Sequence, residues 1–392
     1  MSFGYGVGDF LAVAELAHDI WQKLQDSVDQ FAAIRDEVAG LSSLLDAISK
    51  TVSNHNLAPK QAQGLAASAQ ACRSVLEDLQ KLVLKYRSFT NEDSGLIANI
   101  RKTTRKLKWD QDDARDLRAR ITSTTTVLIA LSESLARDQQ ARREICQWLS
   151  PLDFPAQQRE IYSRHQEESG QWLLQSEVFK GWLESEGGVL LCPGDPGVGK
   201  TVLASIVIDH LWNEIRTDGI GVAYIYCDYL KYREQTPLHL VGSLLKQLAE
   251  QQIPTSESLK SYYDEHKSSN TDPNPKRAFE VLKAECESWS RIFILVDALD
   301  ECSEKDATRQ RLVEGLLSLQ GSKRINILVT SRPIPSILCD FEVSERLNIR
   351  ANSADIQRYL LGQMDRFSRR ILAEKDLEAK IISGIIDAAD GM

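Results

Sequence analysis

The chain is 392 residues long and carries 47 Lys and Arg against 56 Asp and Glu, a net charge of −9. That length exceeds one ordinary core and sets an expectation of two or three domains. The acidic balance argues against nucleic acid as a partner, because non-specific binding needs a basic field to displace counterions, and an apolar fraction of 42% with no low-complexity tract is ordinary for a soluble globular protein.

From the start of the chain, MSFGYGVGDFLAVAEL lacks a basic n-region and meets charge at Asp9 and Glu15, so it does not read as a signal peptide. Phe10, Val13, Ala17, Ile20 and Leu24 share one face at helical spacing, as do Phe31, Ile34, Val38, Leu41, Leu45 and Ile48. The stretch SNHNLAPK at 53–60 breaks the pattern, and Leu65, Ala69, Cys72, Val75, Leu79 and Leu82 carry a third helix. After FTNEDSG at 89–95, a basic helix near 96–108 and a longer one near 110–147 are expected. Between 41 and 150 glycine occurs only at 64 and 95, which together with this periodicity predicts a helical bundle over 1–149. Residues 150–170, with two prolines and mixed charge, read as a linker.

Beyond the linker, short apolar runs alternate with helical patterns. GVLLC (188–192), VAYIYC (222–227), IFILV (292–296) and INILVT (325–330) read as strands, with a weaker one near RLNI (346–349). Such alternation predicts a five-stranded, mainly parallel sheet sandwiched between helices over 171–350. The segment 351–392 is helical again and stops at AADGM without a cap or tail, which reads as a truncated subdomain. No apolar run reaches the roughly 18 residues of a membrane-spanning helix. The seven cysteines (72, 146, 192, 227, 286, 302 and 339) form no CxxC pair and no metal-spaced cluster, so reduced thiols in the cytoplasm are expected.

The chemistry concentrates in three places. Gly194, Asp195, Pro196, Gly197, Val198, Gly199, Lys200 and Thr201 spell GDPGVGKT, a match to G-x-x-x-x-G-K-[ST] between an apolar strand and an amphipathic helix. Glycines there let backbone N–H groups face a phosphate, and the helix N-terminus adds positive potential. Lys200 is expected to reach the β- and γ-phosphates, and the Thr201 hydroxyl to hold Mg²⁺. In RIFILVDALDEC, Asp297 closes an apolar strand where a second Mg²⁺-holding group belongs. Asp300 and Glu301 follow within about one turn. Water attack on a phosphate needs a base, and Glu301, or else Asp300, is read as that base. NILVTSRP ends a further buried strand, so Thr330, Ser331 and Arg332 should emerge at the same carboxyl edge, with Arg332 as a γ-phosphate sensor.

These three pieces in this order resemble the NACHT domain of the STAND NTPases, a P-loop NTPase domain. ILVDALDE fits that family's Walker-B strand with Ala298 where a glycine is usual, and TSRP fits its sensor segment. GQWLLQSEVFKGWLES (170–185) and CDYLKYREQTPLHLVGSLLKQL (227–248) look like segments of fungal NACHT proteins, a group also described as nephrocystin-like. GYGVGDFLAVAELAHDIWQKL resembles the helical HeLo-like domain at the N-terminus of fungal STAND proteins. The resemblance implies a switch that binds ATP or ADP with Mg²⁺ (GTP standing as the alternative), hydrolyses slowly, assembles as a homo-oligomer in the ATP state, and signals through 1–149 to a downstream effector. It also implies a role in fungal non-self recognition or programmed cell death. Neither the family's sensor repeats nor its winged-helix histidine is found in these residues.

Plainer readings compete at several points. Phe10, Leu11, Val13, Leu16, Ile20 and Trp21 make a face that suits membrane contact, yet such a face is more often bundle core. The run RKTTRKLK (101–108) suits acidic lipid but is more often a solvated face. Trp172 and Trp182 belong either near the nucleotide base or under the sheet. Two other classes stay open: an AAA+-like ATPase with a DNA-related role, and a scaffold that binds nucleotide without turning it over.

Overall fold

Helical spacing decides the first part of the chain and strand alternation the second. The computed structural model describes residues 7–25, 32–52, 56–57, 59–90, 111–217, 219–253, 255–269, 273–319, 324–363 and 375–389. The chain divides into two compact units, Met1–Ala141 with Gln252–Pro254, and Arg142–Gln251 with Thr255–Met392.

The first unit is built on helices Val7–Gln25, Ala32–Val52, Pro59–Thr90 and the greater part of Gln111–Leu149. Phe10, Val13, Ala17, Ile20 and Leu24 are all buried, as are Ile34, Val38, Leu41, Leu45 and Ile48, and they join Leu65, Ala69, Cys72, Val75 and Leu79 in one core. Phe10, Val13 and Ile20, weighed above as a membrane face, are therefore core of this unit. Phe31 and the expected basic helix at 96–108, with its RKTTRKLK run, lie outside the described residues. The run Thr124, Thr125, Thr126 is a poor helix former, because branching at Cβ restricts the rotamers. Each hydroxyl donates to the carbonyl four residues back, at 2.8 Å, so the helix carries them without orphaned groups.

The second unit holds a five-stranded sheet: β1 (Val189–Pro193), β2 (Ile220–Tyr226), β3 (Arg291–Asp297), β4 (Ile325–Ser331) and β5 (Glu345–Arg346). Their order is β2-β3-β4-β1-β5 and every pairing is parallel. Helices cover both faces, which is why β1, β3 and β4 are almost wholly apolar rather than alternating. The consequence for chemistry lies in the order. β4 separates β1 from β3, so the residues ending β4 stand between the loop after β1 and the acid ending β3.

β2 is an edge strand, with outward N–H and C=O groups that need partners. Three glutamines supply them. Gln251 accepts from Val222 N–H at 3.1 Å and donates to Val222 C=O at 2.7 Å, and Gln247 does the same for Tyr224 at 3.1 and 2.8 Å. Gln235 donates to Tyr226 C=O at 2.8 Å and accepts from Asp228 N–H at 2.9 Å. Gln247 and Gln251 are four apart on the helix Pro237–Gln251, matching the two-residue period of the strand. Gln247→Leu strips both Tyr224 groups of their partners in a buried place. At about 1–3 kcal/mol per orphaned group, a loss of about 2–6 kcal/mol is expected, read from the thermal unfolding of the variant.

The stretch 150–170 is not a free linker. It contains a helix, Phe154–Tyr162, capped by Asp153, whose carboxylate accepts from Ala156 N–H at 3.0 Å, with Pro155 in the first turn. Leu152 and Phe154 enter the core of the second unit, and Gln158 Nε2 donates to Ser205 C=O at 2.9 Å. In 351–392, helices Ser353–Gln363 and Lys375–Ala389 are present, and Asp355 accepts from Gly170 N–H at 3.0 Å and Trp172 Nε1 at 3.1 Å. Among the described residues no helix is long and apolar enough to cross a membrane.

Candidate functional site

β1 delivers the glycine-rich loop to the carboxyl edge of the sheet. Gly194 N–H donates to Ser331 C=O at 3.0 Å, and Gly194 bridges to Ile349 beyond β5. A Cβ on Gly194 would stand 2.7 Å from Ile349 O, so only glycine fits. Gly197 (φ +84°) and Gly199 (φ +92°) have open space where a Cβ would be, and there glycine meets a conformational need. Gly199 caps the helix Lys200–His210, so its first N–H groups turn toward the loop.

Two loop residues place polar side chains at this edge. Lys200 Nζ donates to the Gly194 and Asp195 carbonyls at 2.7 and 2.9 Å. Burial lowers its pKa, while Asp300 and Asp297 pull it back up. Thr201 Oγ1 donates to Asp297 Oδ2 at 2.7 Å, and Thr330 Oγ1 donates to Asp297 Oδ1 at 2.6 Å. Asp297 is only 2% exposed, and desolvation raises its carboxyl above the ordinary range against those two hydrogen bonds. A buried carboxylate with a hydroxyl on each oxygen and an ammonium close by is a cation-poised arrangement.

The chain then turns sharply. Ala298 sits in the left-handed region (φ 53°, ψ 49°) and starts the short turn Leu299–Glu301, its N–H held by Thr330 Oγ1 at 2.9 Å. This backbone explains why the sequence pattern favours glycine at that position. The left-handed conformation costs an L-residue about 1–2 kcal/mol, and glycine's greater freedom when unfolded returns about 0.5–1. Ala298→Gly is therefore expected to stabilise the second unit by up to about 1 kcal/mol, seen as a higher urea midpoint.

Asp300 and Glu301 part ways. Asp300 accepts from both the Arg332 backbone N–H, at 2.9 Å, and the Arg332 guanidinium. The Asp300 side chain is 3% exposed against 48% for Arg332, so the guanidinium lies between the acid and water. Glu301, by contrast, forms no ion pair among the described residues. Burial first, and then the charges of Asp300 and Asp228, raise its pKa.

The structure thus brings the GDPGVGKT loop, Asp297, Asp300, Glu301 and Arg332 to one sheet edge, with Thr330 between them. Trp182 is not near that edge: it lies under the sheet, donating to Gly188 and Ile327 carbonyls at 3.2 and 3.1 Å. Sequence reading passed over Gln158, which accepts from Tyr226 OH beneath the sheet.

This fold and this edge define a P-loop NTPase domain. Residues 168–332 match the family model described as Nephrocystin 3, N-terminal. No curated protein gives a significant match. Among solved structures, similarity extends to the ORC1 protein of Aeropyrum pernix in complex with DNA (16% identity, TM-score 0.36, covering 51% of this chain and 50% of that one). It extends also to Cdc6p from Pyrobaculum aerophilum (14%, TM-score 0.34, 51% and 50%) and to AMPPCP-bound DnaA from Aquifex aeolicus (14%, TM-score 0.29, 57% and 61%). Each match spans less than two thirds of the solved chain. One of these proteins was solved on DNA, and the exclusion of nucleic acid drawn from net charge is corrected accordingly. The charge of a whole chain does not fix the field at any one patch of its surface.

Proposed function

We propose that the second unit binds ATP or ADP with Mg²⁺ and hydrolyses ATP slowly, and that nucleotide state governs self-assembly of the chain. The observation that carries this is the hydrogen-bonded set Thr201–Asp297–Thr330 under a glycine loop that also presents Lys200. Open space over Gly197 and Gly199 suits phosphate oxygens, and the oxygens of Thr201 and Asp297 suit a hard cation. When bound, Mg²⁺ neutralises charge on the phosphate oxygens.

The chain's own residues divide the work. Lys200 gives the phosphates its cation, exchanging two carbonyl partners for them. Asp297 and Thr201 hold the metal. Glu301, free of cations, orients the water and takes its proton, while Asp300 keeps Arg332 at the sheet edge as the phosphate-sensing group. The helical unit at 1–149 is the output element, brought together when subunits assemble, with 150–170 and 351–392 flanking the nucleotide domain. A role in fungal programmed cell death, as in NACHT-type STAND proteins, is the wider reading.

The test is to purify the chain, release bound nucleotide by denaturation, identify it by chromatography, and measure ATP turnover and particle mass with ADP and with ATP. Bound ADP, slow turnover and a rise in mass with ATP support the switch. Turnover with unchanged mass leaves an ATPase and removes the switch. Absence of nucleotide affinity removes both.

A further inference from the structure

Two helices of the second unit enclose a groove. Pro275–Cys286 leads into β3 and Thr308–Leu319 joins β3 to β4, and between them lies a cavity of about 680 Å³. Its floor is Phe279, buried against Gly315. A Cβ on Gly315 would stand 2.2 Å from the ring, so only glycine lets the ring lie there. Lys276 and Lys283 line one wall, two turns and so about 10.5 Å apart, and Arg311 lines the other. All three are exposed, and none enters an ion pair among the described residues. The acids of the lining are already engaged: Glu280 pairs with Arg277 at 3.1 Å, and Glu314 accepts from Gln310 Nε2 at 2.9 Å. An apolar floor among uncommitted cations complements an apolar side chain flanked by carboxylates.

The chain carries that counterpart itself. The turn at 341–344, between the helix Pro335–Asp340 and β5, projects Val343, which is 102% exposed. Asp340, Glu342 and Glu345 flank it; all are exposed, and none is in an ion pair among the described residues. The turn is preformed. Glu342 N–H donates to Cys339 C=O and Ser344 N–H to Phe341 C=O, both at 3.1 Å, and the Arg346 guanidinium donates to Leu338 C=O at 2.9 Å. Phe341, fully buried, roots it in the core. A turn ordered before it docks loses little further freedom on docking. Full exposure of Val343 means that it does not occupy the groove of its own chain, and β1 and β4 stand between β5 and β3.

We propose that the turn at 341–344 of one copy docks in the groove between Pro275–Cys286 and Thr308–Leu319 of a second copy. Val343 meets Phe279, and the three carboxylates lie among Lys276, Lys283 and Arg311. The two surfaces differ, so the contact is head to tail and repeats from copy to copy until a ring closes or a filament runs on. Exposed ion pairs are individually weak and screened by salt, so the association is modest and salt-dependent. The contact gives the self-assembly proposed above a surface; only its dependence on nucleotide rests on that reading.

Sedimentation velocity of the full chain over a range of concentrations, without nucleotide, with ADP and with ATP, reads the contact. Particles larger than a dimer are expected, and they should shrink as salt rises from about 0.1 to about 1 M and the screening length falls from about 10 to about 3 Å. Glu342→Gln with Val343→Ser disables the turn, and Lys276→Glu with Lys283→Glu disables the groove. All four positions are exposed, so folding should survive, checked by circular dichroism. Each variant alone should associate roughly tenfold more weakly or worse. An equimolar mixture should form a one-to-one dimer and nothing larger, because each variant keeps the half that the other lacks. Large particles unchanged in both variants overturn the docking surface and leave assembly to another face. Variants that fail alone and do not rescue each other overturn the head-to-tail pairing. A chain that stays monomeric at every concentration, with ATP and without, overturns the surface whatever its nucleotide affinity. Association that follows the variants but ignores nucleotide upholds the surface and removes nucleotide control from the function proposed above.

Discussion

Lys200→Ala is expected to weaken ATP binding by roughly 100-fold or more. A hydrogen bond to a charged group is worth about 1.5–3 kcal/mol, and losing the ammonium from the β- and γ-phosphates removes at least about 3 kcal/mol. Folding should survive, because the two carbonyls that Lys200 now contacts belong to a loop open to water on the Asp195 side. Titration calorimetry with ATP reads the change, and circular dichroism checks the fold. Unchanged affinity in a folded variant would remove GDPGVGKT from the binding site.

Glu301→Gln should keep nucleotide affinity and slow hydrolysis by about 10²–10⁴-fold, the usual worth of a general base. Asp300→Asn serves as its partner experiment: it frees Arg332, so its effect should appear in the response to the γ-phosphate, with ATP losing affinity relative to ADP. If instead Asp300→Asn abolishes turnover while Glu301→Gln does not, the two roles are exchanged. The pH profile adds a second readout. A base must be ionised, and burial raises Glu301 above its ordinary value of 4.5. Activity is thus full above the raised value and lost as pH falls through it, so the acid limb of kcat/KM lies above 4.5 and vanishes in the glutamine variant.

Much of this could be read from residues alone. The apolar stripes of the first unit fell where helical spacing put them, because a side chain every three or four residues has one place to be buried. The runs ending at Cys192, Val296 and Thr330 were legible as strands because a sheet covered on both faces tolerates little but apolar residues. The loop was legible because phosphate geometry fixes residue type at nearly every step.

What escaped did so for physical reasons. Asp153 and Pro155 were the signal of a helix start inside 150–170, but two prolines in a charged stretch favour a loop reading when no partner surface is known. Gln247 and Gln251 fall on the buried face of a leucine-rich helix, three residues after Leu244 and Leu248, and a polar residue there marks a buried hydrogen-bond need whose partner lies in a strand some 25 residues away. Ala298 was visible as a departure from glycine; its backbone angle, which gives the departure a meaning, was not.

The glutamines on β2 also set the way copies of this chain are able to meet. Strand addition, the cheapest route by which one sheet recruits another, is closed on that side, since an incoming strand must displace three side-chain amides already seated on its docking positions. On the far side the sheet ends in two residues, Glu345 and Arg346, both charged and exposed, too short to template anything. A sheet sealed at one flank and blunted at the other has no growing end. An oligomer built against this sheet must then use side-chain surfaces rather than strand addition, and a lesion such as Gln247→Leu, which bares part of the edge, is expected to raise the tendency to precipitate.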